Sequence, residues 1–204
     1  MRSALVSLGH ASLLAVLWLG TGACGAALPS YDYSKEPDPT KLEYVLGVSD
    51  SVDINVWKYA ELNTKATIRP DGTITMPLIG DLQAEGKTPS ELKAAIATKL
   101  AEFYKESLEI TVAVTNWASY RFTVSGEVNT PGVLESTRYV TVAEAIALAG
   151  GLTRFARKNG MILTRTDPKT GAVRRIPLAY DPIISGERPD MNIYLMRGDR
   201  LHVP

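Results

Sequence analysis

Residues 69–80 have the sequence Arg-Pro-Asp-Gly-Thr-Ile-Thr-Met-Pro-Leu-Ile-Gly, and this stretch predicts a β-hairpin. Pro70 fixes its own φ angle and Gly72 tolerates a positive φ, so the Pro-Asp-Gly segment favours a tight turn. Extended segments rich in Thr and Ile lie on both sides of this turn. We therefore expect residues 66–69 and 73–76 to pair with each other.

The residues on both sides of this turn complete a small α+β unit. Upstream, residues 52–57 alternate apolar and polar side chains, which predicts a half-buried strand. Downstream, residues 88–105 predict a helix, because a threonine and a glutamate at capping-box spacing precede apolar residues three and four apart. A second alternating segment, 108–114, predicts another strand. These elements give a first domain over residues 42–116.

A second unit follows over residues 117–204. Its sequence predicts a strand at 120–128 and a turn at 129–132. A helix capped by Thr141 and Glu144 follows and ends at Gly150 and Gly151. Further strands are predicted at 161–165, 173–178, 193–195 and 201–203. A helix that covers the apolar face of such a sheet is typical of a β-grasp-like fold. The expected fold class of the whole chain is therefore α+β.

The composition argues against several function classes. The chain has 22 basic and 22 acidic residues, two histidines and one cysteine. A neutral balance argues against a nucleic-acid binder. His10 and His202 are the only imidazoles, so the chain offers neither a zinc-ligand set nor support for histidine-based catalysis. Asp50 and Asp71 are turn residues rather than a catalytic pair, and we expect no enzyme activity and no cofactor.

The amino-terminal residues predict export from the cytoplasm. Residues 1–23 have a basic start and a short apolar core, which is typical of a signal peptide and too short for a membrane span. Thr21-Gly22-Ala23-Cys24 resembles the lipobox of bacterial lipoproteins, which makes Cys24 a candidate for lipidation. The alternative is an ordinary signal peptide cut near Ala23, Gly25 or Ala27. Residues 24–41, rich in proline and polar residues, are expected to form a tether.

The ordered motifs resemble those of the bacterial outer-membrane polysaccharide export proteins. In that family an export domain precedes a soluble-ligand-binding β-grasp (SLBB) domain, which corresponds here to 42–116 followed by 117–204. The residues that carry the resemblance, and that we interpret as mainly structural, are Gly47, Asp50, Arg69, Pro70, Asp71, Gly72, Pro77, Gly80, Gly126, Pro131, Gly132, Gly150, Gly151, Gly198 and Asp199. Ser49 departs from the pattern, because the family usually has a second glycine there.

This resemblance implies a function and a set of partners. It implies a homo-oligomeric ring in the periplasm, lipid-anchored to the outer membrane, that takes part in the export of capsular or extracellular polysaccharide. The sequence stops after the β-grasp motif, so we expect no membrane-spanning pore helix. The implied partners are the polysaccharide, an inner-membrane polysaccharide co-polymerase and a separate outer-membrane β-barrel. The alternatives are a periplasmic saccharide-binding module that acts without a ring and a carbohydrate-cleaving enzyme.

Overall fold

The computed structural model describes residues 30–168 and 170–204. The predicted signal peptide and Cys24 lie outside the described residues. The described chain contains helices and strands, which confirms the α+β class. Its buried apolar side chains form two clusters, one within residues 46–110 and the other formed by Tyr33 and residues within 120–203. We propose that the domain boundary lies between residues 116 and 117, in the connector between these clusters.

The described part of the first domain has a three-stranded sheet, a two-stranded hairpin and a helix. Its elements are β1 (Ser51–Val56), β2 (Thr64–Thr67), β3 (Thr73–Met76), β4 (Gly80–Gln83), α1 (Pro89–Leu100) and β5 (Ile110–Asn116). β1 is central and pairs antiparallel with β2 on one side and β5 on the other. Because side chains alternate between the two faces of a strand, Val52, Ile54 and Val56 all enter the core.

The predicted pairing of residues 66–69 with 73–76 was wrong, although the turn itself forms. The amide of Gly72 donates to the carbonyl of Arg69 at 2.8 Å. However, β2 pairs with β1, and β3 pairs with β4. The reason is that the backbone of Ile68 is already engaged: its amide donates to the Asp50 carbonyl and its carbonyl accepts from the Ser49 amide. The chain therefore leaves one sheet at the turn and enters a second one.

Helix α1 begins as predicted and ends earlier than predicted. Thr88 and Glu91 form a capping box, and a proline occupies the first turn. Leu92, Ile96 and Leu100 are fully buried on one face. Phe103, which the apolar spacing placed on the same face, is 55% exposed because the α-helix stops at Leu100.

The second domain is a five-stranded sheet in the order β7-β6-β10-β8-β9. Its elements are β6 (Arg121–Gly126), β7 (Gly132–Glu135), α2 (Val142–Leu148), β8 (Met161–Thr166), β9 (Val173–Leu178), α3 (Tyr180–Ser185) and β10 (Arg200–Val203). The last strand lies in the centre, parallel to β6 and antiparallel to β8. Helix α3 was not predicted, and the expected strand at 193–195 is reduced to a single bridge between Tyr194 and Thr141.

Gly126 is required where the central strand passes β6. Its φ is +89°, and a Cβ atom added there would lie 1.9 Å from the carbonyl oxygen of Val203. A side chain at this position would therefore push β10 away from β6. The glycine allows the two strands to stay paired up to Val203.

The described part of the predicted tether is docked on the second domain. It contains two single-turn 3-10 helices, Tyr33–Lys35 and Pro39–Lys41. The ring of Tyr33 is buried, and its hydroxyl donates to the carbonyl of Pro177. The docking depends on a few isolated side chains and not on a periodic pattern, which is why the sequence suggested a free segment.

Helices in the described residues are short, and α1 with 12 residues is the longest of them. In residues 30–168 and 170–204, we find no helix with both the length and the apolar character that a bilayer crossing requires.

Candidate functional site

The two domains meet at the connector of residues 117–120, which leads from β5 to β6. The carboxylate of Asp50, a family-motif residue just before β1, lies fully buried against this connector. Its Oδ1 accepts from the backbone amide of Ser119 at 2.7 Å, and its Oδ2 accepts from the Ser119 hydroxyl at 2.8 Å. Asp50 therefore holds the start of the second domain by two hydrogen bonds.

The same carboxylate also fixes the turn in front of β1. Its Oδ2 accepts from the amide of Gly47 and from the hydroxyl of Tyr44, each at 2.8 Å. The Tyr44 hydroxyl lies 2.9 Å from the Ser119 hydroxyl as well. Burial, together with the hydrogen bond to Asp50, raises the pKa of Tyr44 above its usual value, so this hydroxyl stays protonated. These groups, Tyr44, Gly47, Asp50 and Ser119, form what we call the junction cluster.

Aromatic rings extend the junction cluster into the second domain. Tyr44 stacks on Trp117 with ring centres 4.6 Å apart, and Trp117 contacts Tyr139 at 5.7 Å. Tyr139 in turn makes an edge contact with the buried Tyr120 at 5.3 Å. Each such pair stabilises packing by about 0.5–1.5 kcal/mol beyond the area that it buries. The rings therefore continue the polar contacts of Asp50 and limit rotation between the domains.

Gly47 is required by the close approach at this cluster. A Cβ atom at Gly47 would lie 2.6 Å from both the Cβ and the Oγ of Ser119, and closer still to the guanidinium of Arg197. Arg197, in the turn before β10, donates to the Ser119 hydroxyl at 3.3 Å. The absence of a side chain at Gly47 thus allows the segments that contain Gly47 and Arg197 to approach Ser119 closely.

The departure at Ser49 has a measurable geometric consequence. Ser49 adopts a φ of +74°, in the left-handed region that glycine occupies without steric cost. Its amide donates to the carbonyl of Ile68 at 2.9 Å, which holds the residue in this conformation. The backbone therefore keeps the shape that a glycine would favour, and the serine bears the strain.

A second group of motif residues fixes the hairpin formed by β3 and β4. Arg69 forms ion pairs with Asp71 at 3.2 Å and Asp81 at 3.0 Å, and all three side chains are well exposed. Hydrogen bonds from the Thr73 hydroxyl and amide, with the nearby Arg69, lower the pKa of Asp71 to about 2. The Asp71 carboxylate is occupied by Thr73 and Arg69, which lie in or beside the same turn. The arrangement therefore supports a structural role for Arg69, Pro70, Asp71 and Gly72.

A third group is a buried ion cluster that joins the amino-terminal segment to the second domain. Arg165 donates from Nε to both oxygens of Asp199 at 3.1 Å and from Nη1 to Glu36 at 2.7 Å. The side chains of Arg165, Asp199 and Glu36 are 5%, 1% and 1% exposed. Arg174 reaches the other oxygen of Glu36 at 3.0 Å. Burial raises the pKa of Asp199, while Arg165 and the amide of Met196 act in the opposite direction.

The remaining motif residues lie in turns and at element ends. Pro77 lies between β3 and β4, and Pro131 lies just before β7. Asn129 donates to the carbonyl of Gly150 at 2.7 Å, which ties the turn before β7 to the end of α2. The glycines of this group with a positive φ are Gly80, Gly150, Gly151 and Gly198, whereas Gly132 begins β7.

Sequence reasoning missed several residues that the structure brings into these clusters, among them Trp117, Ser119, Arg165 and Glu36. Trp117 and Ser119 lie in a connector without periodicity, so no pattern singled them out. Arg165 did give a signal, because it follows Met161 and Leu163 on the inward face of β8. An arginine in that phase of a strand indicates a buried carboxylate partner. The partners of Arg165 are Asp199 and Glu36, and Glu36 lies 129 residues before Arg165 in the chain.

Comparison with protein families matches both domains. Residues 38–115 match the family described as polysaccharide biosynthesis/export protein, and residues 121–177 match the SLBB domain. Together the two matches span about two thirds of the chain. Their order is the one that the motifs predicted.

Similar proteins carry names from polysaccharide production and export. The chain is 36% identical over 123 residues to the exopolysaccharide production protein ExoF of Rhizobium meliloti, with 55% of this chain and 29% of ExoF covered. It is 29% identical to the EPS I polysaccharide export outer membrane protein EpsA of Ralstonia nicotianae (60% and 38% covered). It is 24% identical to the polysialic acid transport protein KpsD of Escherichia coli (68% and 23% covered).

In each comparison, the matched region spans less than half of the relative's length. The names describe export, transport and production proteins, and none of them names an enzyme. The resemblance inferred from the motifs is thereby confirmed: the chain belongs to the polysaccharide biosynthesis/export family and carries an SLBB domain after its export domain.

Proposed function

We propose that this protein is a periplasmic, outer-membrane-associated component that exports capsular or extracellular polysaccharide as a homo-oligomeric ring. The observation that carries the proposal is the ordered pair of export and SLBB domains, held together by the junction cluster. Similar proteins are named for polysaccharide export or transport. It acts by guiding the polymer and not by cleaving it.

The rigid junction is what a closed ring needs. A ring forms when every copy repeats the same heterologous contact at the same angle, so the domains of one copy must hold a constant orientation. The junction cluster supplies that constraint. The outer strands of the second sheet, β7 and β9, each expose a valine, with Val133 65% and Val173 62% exposed. Edge strands can pair with a strand of another copy, so these edges support contacts between copies.

The expected partners follow from the family. We infer that the ring receives polymer from an inner-membrane polysaccharide co-polymerase and works with a separate outer-membrane β-barrel. Both partners are proposals from the family resemblance. Nucleic acid is not among the proposed partners, because the charge of the chain is balanced.

We expect deletion of the gene to abolish or strongly reduce secreted polysaccharide. The physical reason is that the polymer lacks its guide across the periplasm. Secreted and cell-associated polysaccharide are measured in the deletion strain and in the strain complemented with the wild-type gene. Unchanged secretion in a strain without a second copy would contradict the export function. A strictly monomeric mass for the membrane-extracted protein would instead favour the saccharide-binding module without a ring.

Membrane attachment through Cys24 is a separate prediction. A palmitate analogue should label the wild type, and Cys24→Ser should remove both the label and the protein from the outer-membrane fraction, because several acyl chains give durable anchoring. Glu36 is docked 12 positions after Cys24, and an extended chain reaches at most about 3.6 Å per residue. An anchored Cys24 therefore keeps Glu36, and with it the docking point on the second domain, within about 43 Å of the bilayer. Equal labelling of wild type and variant would rule out this anchor.

A further inference from the structure

An open cavity lies where the amino-terminal segment, the connector and the second domain meet. Its volume is about 530 Å³, within the range of roughly 300–1,000 Å³ that is common for small-molecule sites. Three aromatic side chains line it, Trp117, Tyr139 and Tyr194, together with Thr40 from the amino-terminal segment. This cavity lies beside the junction cluster, and Thr141 and Glu144, the capping residues of α2, contribute to its lining.

The aromatic surfaces of the cavity are held in place from behind. Trp117 is backed by Tyr44, and Tyr139 is backed by the buried Tyr120. Both lining rings remain partly exposed. A ring that is already fixed loses little conformational entropy when a ligand covers it, so these faces form a prepared platform.

Polar groups on the rim are available for hydrogen bonds. The Oδ1 of Asn192 accepts from the amide of Ala143 at 3.0 Å, which orients its NH2 group as a donor. Within the described residues, the hydroxyls of Tyr139 and Tyr194 have no hydrogen-bond partner, and both side chains line the cavity. The cavity thus combines fixed apolar faces with unused donors and acceptors.

The charge of the rim does not favour an anionic ligand such as a nucleotide. Arg138 is the lining cation, and it forms an ion pair with Glu144 at 2.8 Å. Among the lining residues, the carboxylate offsets the charge of the guanidinium, so a phosphate would find no unpaired lining cation. An uncharged ligand with many hydroxyl groups meets no such barrier.

The geometry points to a subsite for an uncharged pyranose unit of a polysaccharide, stacked on Trp117 and Tyr139. The C–H groups on one face of a pyranose ring carry partial positive charge and pack against the negative face of an aromatic ring. The hydroxyls at the edge of the sugar need partners when water leaves, and the rim supplies them. The proposed export function provides the polymer that would reach this subsite.

The open form of the cavity suits a moving chain. A polymer can enter and leave such a site sideways, whereas an enclosed pocket would accept only a chain end. For contacts limited to two ring faces and a few hydrogen bonds we expect weak binding, with a Kd on the order of 1 mM. A growing polymer can therefore pass the subsite without being trapped.

The test uses the two tryptophans of the chain from Cys24 onward as separate reporters. Trp117 lines the cavity, whereas Trp57 is 71% exposed and lies on the first domain. The protein is labelled with 15N at the tryptophan indoles, and the two indole N–H signals are followed by NMR. It is titrated with the methyl pyranosides of glucose, galactose, mannose and N-acetylglucosamine, and with glycerol as a polyol control. At least one pyranoside should shift the Trp117 indole signal saturably, with glycerol ineffective and Trp57 unchanged.

A matched pair of helix variants separates the cavity from general effects. Ala143 lines the cavity and Ala147, one turn later on α2, is exposed. Ala143→Phe should fill the space and weaken the Trp117 response about tenfold or more, while Ala147→Phe keeps it. Absence of a saturable Trp117 response, an equal response at Trp57, or a response that survives Ala143→Phe would overturn the subsite. Loss of secretion on gene deletion without a Trp117 response would reject the subsite alone, and unchanged secretion would reject the export function.

Discussion

Replacing Arg165 by methionine should lower the free energy of unfolding of the second domain by about 3–5 kcal/mol. The guanidinium is buried between the carboxylates of Asp199 and Glu36, and the methionine removes the charge while keeping much of the side-chain length. The buried carboxylate of Asp199 would then remain without a cation, and Glu36 would keep only the half-exposed Arg174. Urea unfolding of the purified protein, followed by far-UV circular dichroism, measures the loss.

The neighbouring Arg174 provides the matched control. It also contacts Glu36, at 3.0 Å, but its side chain is 45% exposed. Arg174→Met should therefore cost no more than about 1 kcal/mol. Equal losses in the two variants would show that burial of Arg165 does not determine the stability of this domain.

The loss in Arg165→Met should also depend on pH. Burial already raises the pKa of Asp199, and without the opposing effect of Arg165 that pKa rises further. A carboxyl whose pKa is raised in the folded state contributes stability below its unfolded pKa and loses it as the pH rises through the folded pKa. The stability gap between wild type and variant should therefore be smaller at acidic than at neutral pH.

Features that depend on neighbours in the chain could be predicted from the sequence. The capping boxes of α1 and α2 are present as expected, because Thr88 and Glu91, like Thr141 and Glu144, need only their own backbone. The α+β class followed from the same local patterns. Local signals say little about which strands pair. The segment after the Pro-Asp-Gly turn pairs with β4 because distant residues 49–50 already bind the backbone of Ile68.

The clusters that join separate segments could be predicted only in part. Asp50 was recognised as a turn residue, and it does bind the Gly47 amide. Its two bonds from Ser119 connect residues 69 positions apart, and no spacing rule relates two such positions. The contact of Glu36 with Arg165 spans 129 residues for the same reason. A buried charge in the inward phase of β8 indicates that a partner exists but not where it lies in the sequence.

Replacing Asp50 by alanine should have an effect comparable to that of Arg165→Met, with a different signature. The amides of Gly47 and Ser119 would lose their acceptor, and each buried unpaired donor costs about 1–3 kcal/mol. We expect a loss of about 3–5 kcal/mol in the first domain. Since the same carboxylate ties the connector, the domains should also uncouple. Unfolding should then separate into two transitions, and limited proteolysis should cut near Trp117.

Asp53 on β1 is the matched control, because it is also a carboxylate of the same region but is partly exposed and paired with Lys65 at 3.4 Å. Asp53→Ala should change stability by no more than about 1 kcal/mol and leave the connector resistant to protease. The contrary result would be that Asp50→Ala unfolds in a single transition with the same free energy of unfolding as Asp53→Ala. That result would show that the junction cluster does not hold the two domains in a constant orientation. The constant orientation that a ring requires would then have to come from contacts between copies, and isolated subunits would show free motion between their export and SLBB domains.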